Sequence, residues 1–261
     1  MQDNSPHPPR SAQKPAKERI DVLLVARGLA PSRERAQALL LAGNVRVDGA
    51  PVTKAGARVA TDTRIEIVGE SNPYVSRGGL KLAGALDDFS LSPRGKLCLD
   101  VGSSTGGFTD CLLQRGAAKV YAVDVSIDQL DWKLRQDSRV VPLERNARYL
   151  LTEHIAERPA LIVADVSFIS VAKVLPALIP VAAPGADLLV LIKPQFELQK
   201  RDVGKGGIVR DPALHQTAVD SVVHSARSLG LEIIGVKPSH LTGAEGNQEF
   251  FLHARNRGGA L

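Results

Sequence analysis

Aromatic side chains are scarce in this chain, with one Trp, three Tyr and six Phe in 261 residues, so its core must be built from Leu, Val, Ala and Ile. Cysteine is scarcer still. Cys98 and Cys111 are the two present, without metal-ligand spacing around them, which excludes a disulfide framework and a thiolate zinc site. They read as buried free thiols in a reducing compartment. The six histidines form no ligand cluster, so no metal is expected. The N-terminal stretch has no apolar centre and cannot act as a secretory signal. The longest apolar region, Ala160 to Ile192, is interrupted by Asp165, Lys173, Asp187 and three prolines. A membrane span needs about 18 or more apolar residues with few charges, so this region reads as two strands and a core helix. A cytoplasmic protein without a membrane partner is expected.

What is present is the balance of a globular protein: 44% hydrophobic and 23% charged residues, with a net charge of +5 and a pI near 9.3. The excess is mild and by itself only permits a polyanionic partner. Its location says more, because residues 1–72 carry a net +3 of it.

Residues 1–17, polar and rich in Pro and Lys, read as a disordered tail. Over 18–68 a small α+β module is predicted. Ile20, Leu23, Leu24 and Leu29 recur at helical spacing, then Ser32 caps a second helix whose buried stripe is Ala36, Leu39, Leu40 and Leu41. Gly43 ends that helix, Val45 to Val47 enter an Asp48-Gly49 turn, and Arg64 to Val68 alternate as a strand. The segments Arg19-Ile20-Asp21, Ser32-Arg33 and Gly43 to Gly49 resemble the S4 RNA-binding domain. Arg33, Arg35 and Arg46, on or beside one helix face, suit phosphate contacts, and with Arg19 they are the candidate RNA-binding residues. Arginine on a solvated helix face also serves solubility alone; the S4-like pattern tips the balance towards RNA.

A polar linker over 69–76 leads into residues 77–261, where apolar strands alternate with amphipathic helices. That pattern predicts an α/β, doubly wound, Rossmann-like domain with a parallel sheet. Strands are expected at 97–101, 120–125, 139–143, 161–165, 188–192, 232–236 and 249–253. The first ends in Asp100-Val101-Gly102-Ser103-Ser104-Thr105-Gly106-Gly107-Phe108, a glycine-rich strand-to-helix turn that lets a ligand approach the backbone. Ser104 stands where a dinucleotide fingerprint needs its second glycine. The acid before the turn suits instead the cationic amino-acid end of S-adenosylmethionine, and Asp124, closing the next strand, suits a ribose diol.

The C-terminal portion is similar to the FtsJ-type ribose 2′-O-methyltransferases, class I enzymes that use S-adenosylmethionine. From Glu18 onward the chain resembles the TlyA family, also known as hemolysin A. The resemblance implies that Asp100 to Phe108 line the methionine end, that Asp124 holds the ribose and that Asn146 lies near the adenine. It matches Lys81, Asp165, Lys193 and Glu249 to a catalytic Lys-Asp-Lys-Glu tetrad. Asp165 and Lys193 each close an apolar strand and are expected at the carboxyl edge of the sheet, where open α/β sheets bind ligands. The chemistry needs such a cluster, because a 2′-hydroxyl must lose its proton as it attacks the methyl carbon. A free lysine, with a pKa of about 10.4, is neutral in roughly one molecule per thousand near neutrality. Desolvation or a second ammonium would help Lys193 act as base, and a directly paired carboxylate would oppose it. Lys193 is read as the base or as the group that orients the hydroxyl, with Asp165 holding it, and Lys81 and Glu249 positioning the ribose.

The resemblance implies a cytidine of ribosomal RNA, within ribosomal subunits, as substrate; no stable protein partner is evident. Three rivals remain. A base-methylating enzyme would carry an Asn-Pro-Pro-Tyr-like motif where Asp165-Val166-Ser167-Phe168 stands. A non-enzymatic RNA-binding assembly factor would not keep the four ionisable residues. A membrane-active hemolysin has no matching segment. Trp132 is read as helix packing, and Lys205 to Arg210 as a glycine-rich surface loop.

Overall fold

The computed structural model describes residues 16–30, 32–41, 43–68, 72–243 and 246–258. The chain divides between Ser71 and Asn72 into two compact units. The disordered tail expected over 1–17 falls mostly on residues 1–15, outside the described residues, and Lys17 already belongs to a strand.

In the first unit, β1 (Lys17–Arg19) pairs antiparallel with β4 (Arg58–Ala60). The helices α1 (Ile20–Ala26) and α2 (Arg33–Leu41) share a small core of Ile20, Leu24, Ala36, Leu40 and Val45. Ser32 begins α2 as expected, its Oγ accepting the Arg35 N–H at 3.3 Å. A three-stranded sheet runs β3 (Ala50–Pro51), β2 (Val45–Val47), β5 (Ile65–Ile67). Asp48 and Gly49 turn the β2–β3 hairpin with φ of 49° and 81°, a left-handed pair that matches the twist of the strands. Two expectations fail here. Leu29 lies beyond α1, and Leu41, next to the buried Leu39 and Leu40 in the last turn of α2, falls on its outer face and is 77% exposed.

The second unit carries a seven-stranded sheet in the order β11-β12-β10-β9-β6-β7-β8. β6 (Leu97–Val101), β7 (Lys119–Asp124), β8 (Val140–Glu144), β9 (Leu161–Ala164) and β10 (Asp187–Ile192) are parallel. β12 (Phe250–Asn256) runs against them, antiparallel between β10 and β11 (Leu231–Pro238), so β11 again points the same way as β10. Hydrophobic alternation reports which face a residue occupies and is blind to strand direction, so the expected all-parallel sheet is in fact mixed.

The central strands are buried on both faces, and successive residues feed opposite cores. Leu99, Val101, Ile162, Leu188 and Val190 pack on the side of α6 (Leu175–Val181) and α8 (Pro212–Ser228). Cys98, Leu161, Val163, Leu189 and Leu191 pack on the side of α3 (Arg77–Asp88) and α4 (Gly107–Gln114). Each such side chain contributes about 1.5–3 kcal/mol by leaving water, so the sheet is a rigid base for its carboxyl-edge loops. Asp211 caps α8 by accepting the Ala213 N–H at 2.8 Å, with Pro212 in the first turn. Burial pushes the Cys98 and Cys111 thiols up to about 12, which leaves both unreactive. Trp132, at the start of α5 (Trp132–Gln136), is 66% exposed and does not serve helix packing. Among the described residues no helix is long and apolar enough to cross a membrane.

Candidate active site

Four strand ends and one strand start meet at one edge of the sheet. Gly102 follows β6, Asp124 ends β7, Asp165 follows β9 and Lys193 follows β10. Because β12 runs the other way, Glu249 just before it arrives at the same edge, and Ile192 pairs with Phe250 in the ladder. The antiparallel strand therefore delivers a residue that a parallel one would have placed at the opposite end.

Two ion pairs occupy this edge. Lys81 Nζ lies 2.5 Å from Glu249 Oε2, and both side chains are almost fully buried. Lys193 Nζ lies 2.5 Å from Asp165 Oδ1 and donates a hydrogen bond to Ser167 Oγ at 2.8 Å. Gly243 approaches Glu249 so closely that an added Cβ would stand 2.7 Å from Oε1. Lys193 is thus turned to the site, in direct contact with a carboxylate on the cavity wall.

A cavity of about 200 Å³ is walled by Ser76, Lys81, Gly102 to Thr105, Phe108 and Asp165, among others. A second, of about 420 Å³, is walled by Gly102, Ser104, Asp124, Asn146, Asp165 and Ser167, among others. The two share Gly102, Ser104 and Asp165, so together they form one trough running from Lys81 past the glycine-rich turn to Asn146.

The turn is braced by the protein itself. Gly102 (φ 82°) and Ser103 both donate to Val123 O, at 2.8 and 3.1 Å, and Ser104 donates to Asp124 Oδ2 at 2.9 Å. Asp124 Oδ1 accepts Ser126 N–H at 3.1 Å, and each oxygen retains a lone pair for a ligand hydroxyl. Packing alone requires the glycines. A Cβ at Gly102 would stand 2.4 Å from the Asp165 carbonyl oxygen, at Gly106 2.2 Å from Leu134 Cδ1, and at Gly107 2.2 Å from Ser76 Oγ.

Asp100 departs from expectation. It is fully buried beneath the turn and stands on the wall of neither cavity. Its Oδ2 accepts Thr109 Oγ–H at 2.6 Å, while Oδ1 is buried without a hydrogen-bond partner among the described residues. Burial, opposed by the Thr109 bond and reinforced by Asp165 and Asp124, pushes its pKa up to about 7. The folded protein therefore binds a proton that the unfolded chain releases near pH 4, and stability falls as pH rises from there through 7. In Asp100→Asn the Thr109 bond can persist without the buried charge. Its melting temperature is expected to exceed the parent's by a margin that grows by roughly 5 °C or more between pH 5 and 8, about 2–3 kcal/mol. Scanning calorimetry of ligand-free protein checks this, and a margin independent of pH would refute it.

The chemistry of the walls fits S-adenosylmethionine. Acidic groups at Asp124 and Asp165 suit a diol and cationic centres, and Ser103 Oγ, on the wall of the first cavity, is buried without a partner among the described residues. Asn146 lies on the second cavity, its Oδ1 accepting the Arg148 N–H at 3.1 Å.

A family model for FtsJ-like methyltransferases matches residues 74–256, and one for the S4 domain matches residues 18–65. The chain belongs to the TlyA family of FtsJ-like methyltransferases. It is 51% identical over 241 residues to the 16S/23S rRNA (cytidine-2′-O)-methyltransferase TlyA of Mycobacterium tuberculosis, covering 92% of this chain and 90% of that one. It is 42% identical to hemolysin A of Brachyspira hyodysenteriae, over 90% of this chain and 98% of that one. A solved structure of a candidate hemolysin from Streptococcus thermophilus superposes with a TM-score of 0.74 at 41% identity, covering 94% of this chain and 90% of that chain.

Within this family frame the S4 arginines divide. Arg19 and Arg33 both grip the buried Asp21, at 2.9 and 3.0 Å, and Gln37 Nε2 joins them at 3.2 Å. Arg46 is exposed, and Arg35 is half-buried on α2. Arg19 and Arg33 thus have a structural task beside any contact with RNA, and Arg46 donates to Gly49 O at 3.4 Å. Sequence reasoning missed Phe168, which is 92% exposed with φ 65°, its ring 5.4 Å from that of Phe196. The signal available was an aromatic placed three residues after Asp165, in a chain with few aromatics.

Proposed function

We propose that this chain transfers a methyl group from S-adenosylmethionine to the 2′-hydroxyl of a cytidine in ribosomal RNA, acting in the cytoplasm on ribosomal subunits. The observation that carries the reading is the pair of lysine–carboxylate contacts, Lys81 with Glu249 and Lys193 with Asp165, at a trough that the glycine-rich turn also lines. Asp124 would accept from the ribose diol of the cofactor, Ser103 and the turn would hold its methionine end, and Asn146 would flank the adenine. Bound there, S-adenosylmethionine supplies the electrophilic methyl carbon on its sulfonium centre.

The protein's own groups handle the hydroxyl. Lys193 orients the hydroxyl and, in its neutral form, takes the proton as the oxygen attacks the methyl carbon; the Asp165 contact opposes formation of that neutral form and in return stabilises the ammonium that results. Asp165 and Ser167 fix the direction of Nζ, so little reorganisation accompanies the step. Lys81 and Glu249, buried and mutually neutralised, add hydrogen-bonding capacity near the ribose at no net charge. Asp100 braces the turn from below through Thr109.

Access for RNA is consistent with this assignment. A further hollow of about 430 Å³ is walled by Arg148, Phe168, Lys173, Gln195 and Phe196. The exposed Phe168 beside the half-buried Phe196 and two cations suits an unstacked base and its phosphates, the common mode of single-stranded RNA recognition. The test is transfer of tritiated methyl groups to each purified ribosomal subunit, followed by mass spectrometry of the labelled nucleoside. Label on the ribose of cytidine is expected. Label on a base, or none on either subunit, would refute the assignment.

A further inference from the structure

Glu197 is a mostly buried carboxylate that the chemistry above does not use. Among the described residues it makes no ion pair. Its Oε2 accepts Ser170 Oγ–H at 2.5 Å and its Oε1 accepts the Val171 N–H at 2.8 Å. Burial pushes its pKa above the ordinary carboxylate value, against the pull of those two bonds and of Lys173. A carboxylate kept in such a setting has a cost, and its position suggests what it is for.

Glu197 closes α7 (Pro194–Glu197), the single turn that follows Lys193. The residues it holds lie just after Asp165, Ser167 and Phe168 in the neighbouring loop. The two segments touch at three successive points: Lys193 on Asp165 and Ser167, the Phe196 ring on Phe168, and Glu197 on Ser170 and Val171. The loop between needs the third point. Phe168 has a left-handed φ of 65°, a conformation that persists only where the surroundings over-determine it.

We propose that Glu197 is a positioning residue, pinning Ser170 and Val171 so that the loop 165–171 presents Asp165 and Ser167 to Lys193. This rests on the reading in which Lys193 and Asp165 act on the substrate hydroxyl. The role is geometric. Glutamine can serve it, its carbonyl accepting from Val171 and its amide donating to Ser170, because a hydroxyl can reverse from donor to acceptor. Alanine cannot.

The experiment compares Glu197→Ala, Glu197→Gln and Ser170→Ala in the full chain. Methyl transfer to ribosomal subunits is followed from pH 6 to 9, with cofactor affinity measured by calorimetry. Glu197→Ala is expected to lower kcat roughly 30-fold, since small displacements of positioned groups cost rates of this order. Cofactor Kd should stay within about twofold and the pH profile of kcat should move, because the groups around Lys193 are displaced. Glu197→Gln should restore kcat to within about threefold of the parent and return the profile. Ser170→Ala should lower kcat less than Glu197→Ala, and adding it to Glu197→Ala should cost little more. A merely structural loss would lower the active fraction equally at every pH and leave the profile in place. That outcome, an unchanged kcat in Glu197→Ala, or a Glu197→Gln variant as impaired as alanine, would overturn the proposal. A fully active Lys193→Ala would instead overturn the chemistry on which it rests, so the two failures are separable.

Discussion

Lys193→Ala is expected to lower kcat for methyl transfer by about 10³-fold, the scale of losing a positioned general base. Cofactor affinity should remain within about twofold, because the side chain meets the trough through Asp165 and Ser167 and does not itself wall the cavity beside the glycine-rich turn. Removing the ammonium leaves Asp165 without its counter-charge, so a second variant is informative. Lys193→Met keeps most of the stem and its packing, and should be as inactive as alanine if the amine does the work. Single-turnover transfer from tritiated cofactor separates the chemical step from product release. Retained turnover in either variant would remove Lys193 from the mechanism.

Asp21→Ala has the second largest expected effect, and it falls on the other unit. Asp21 is fully buried, yet it holds Arg19, Arg33 and Gln37, and those bonds keep its carboxyl well below the usual carboxylate range. The arginines are about half exposed, so solvent screens the loss and roughly 2 kcal/mol is expected. A module of this size has little stability to spare, and its transition should fall by roughly 10 °C or more. RNA affinity should weaken at least about tenfold while cofactor affinity is unchanged, measured by thermal unfolding, filter binding and calorimetry. The pH dependence has a definite sign. Because the folded pKa is depressed, the Asp21 contribution is present above the unfolded value of about 3.9 and is lost as pH falls below it. An unaltered S4 transition in Asp21→Ala would show that the arginines fold the module unaided.

Much of the architecture was legible because local chemistry states it. The strand expected at 97–101 lies at Leu97–Val101, and the one at 188–192 begins a residue earlier at Asp187. Apolar runs of five or six residues bounded by turn signals leave few alternatives. The Asp211-Pro212 start and the Asp48-Gly49 turn also formed as expected. At the site, the residue types and the Lys193–Asp165 contact were legible, and the Lys81–Glu249 pairing was not. Lys81 and Glu249 are 168 positions apart, and no periodicity links a lysine in α3 to a glutamate before β12. The reason for the glycines was also hidden. Gly102 answers to the Asp165 backbone and Gly106 to Leu134, contacts that exist only after β6, β9 and α5 have packed. Asp100 is read as a ligand contact because it precedes the turn, and its burial beneath that turn, bonded to Thr109, could not be read from the sequence.

The placement of β12 has a consequence for the order of events at birth. Residues 250–256 insert between β10 and the edge strand β11, so β11 cannot join the sheet until that later segment has emerged from the exit tunnel. Until then Lys81 faces an edge that lacks its acidic mate. A nascent chain therefore brings Glu249 to Lys81 only as β12 enters the ladder beside β10.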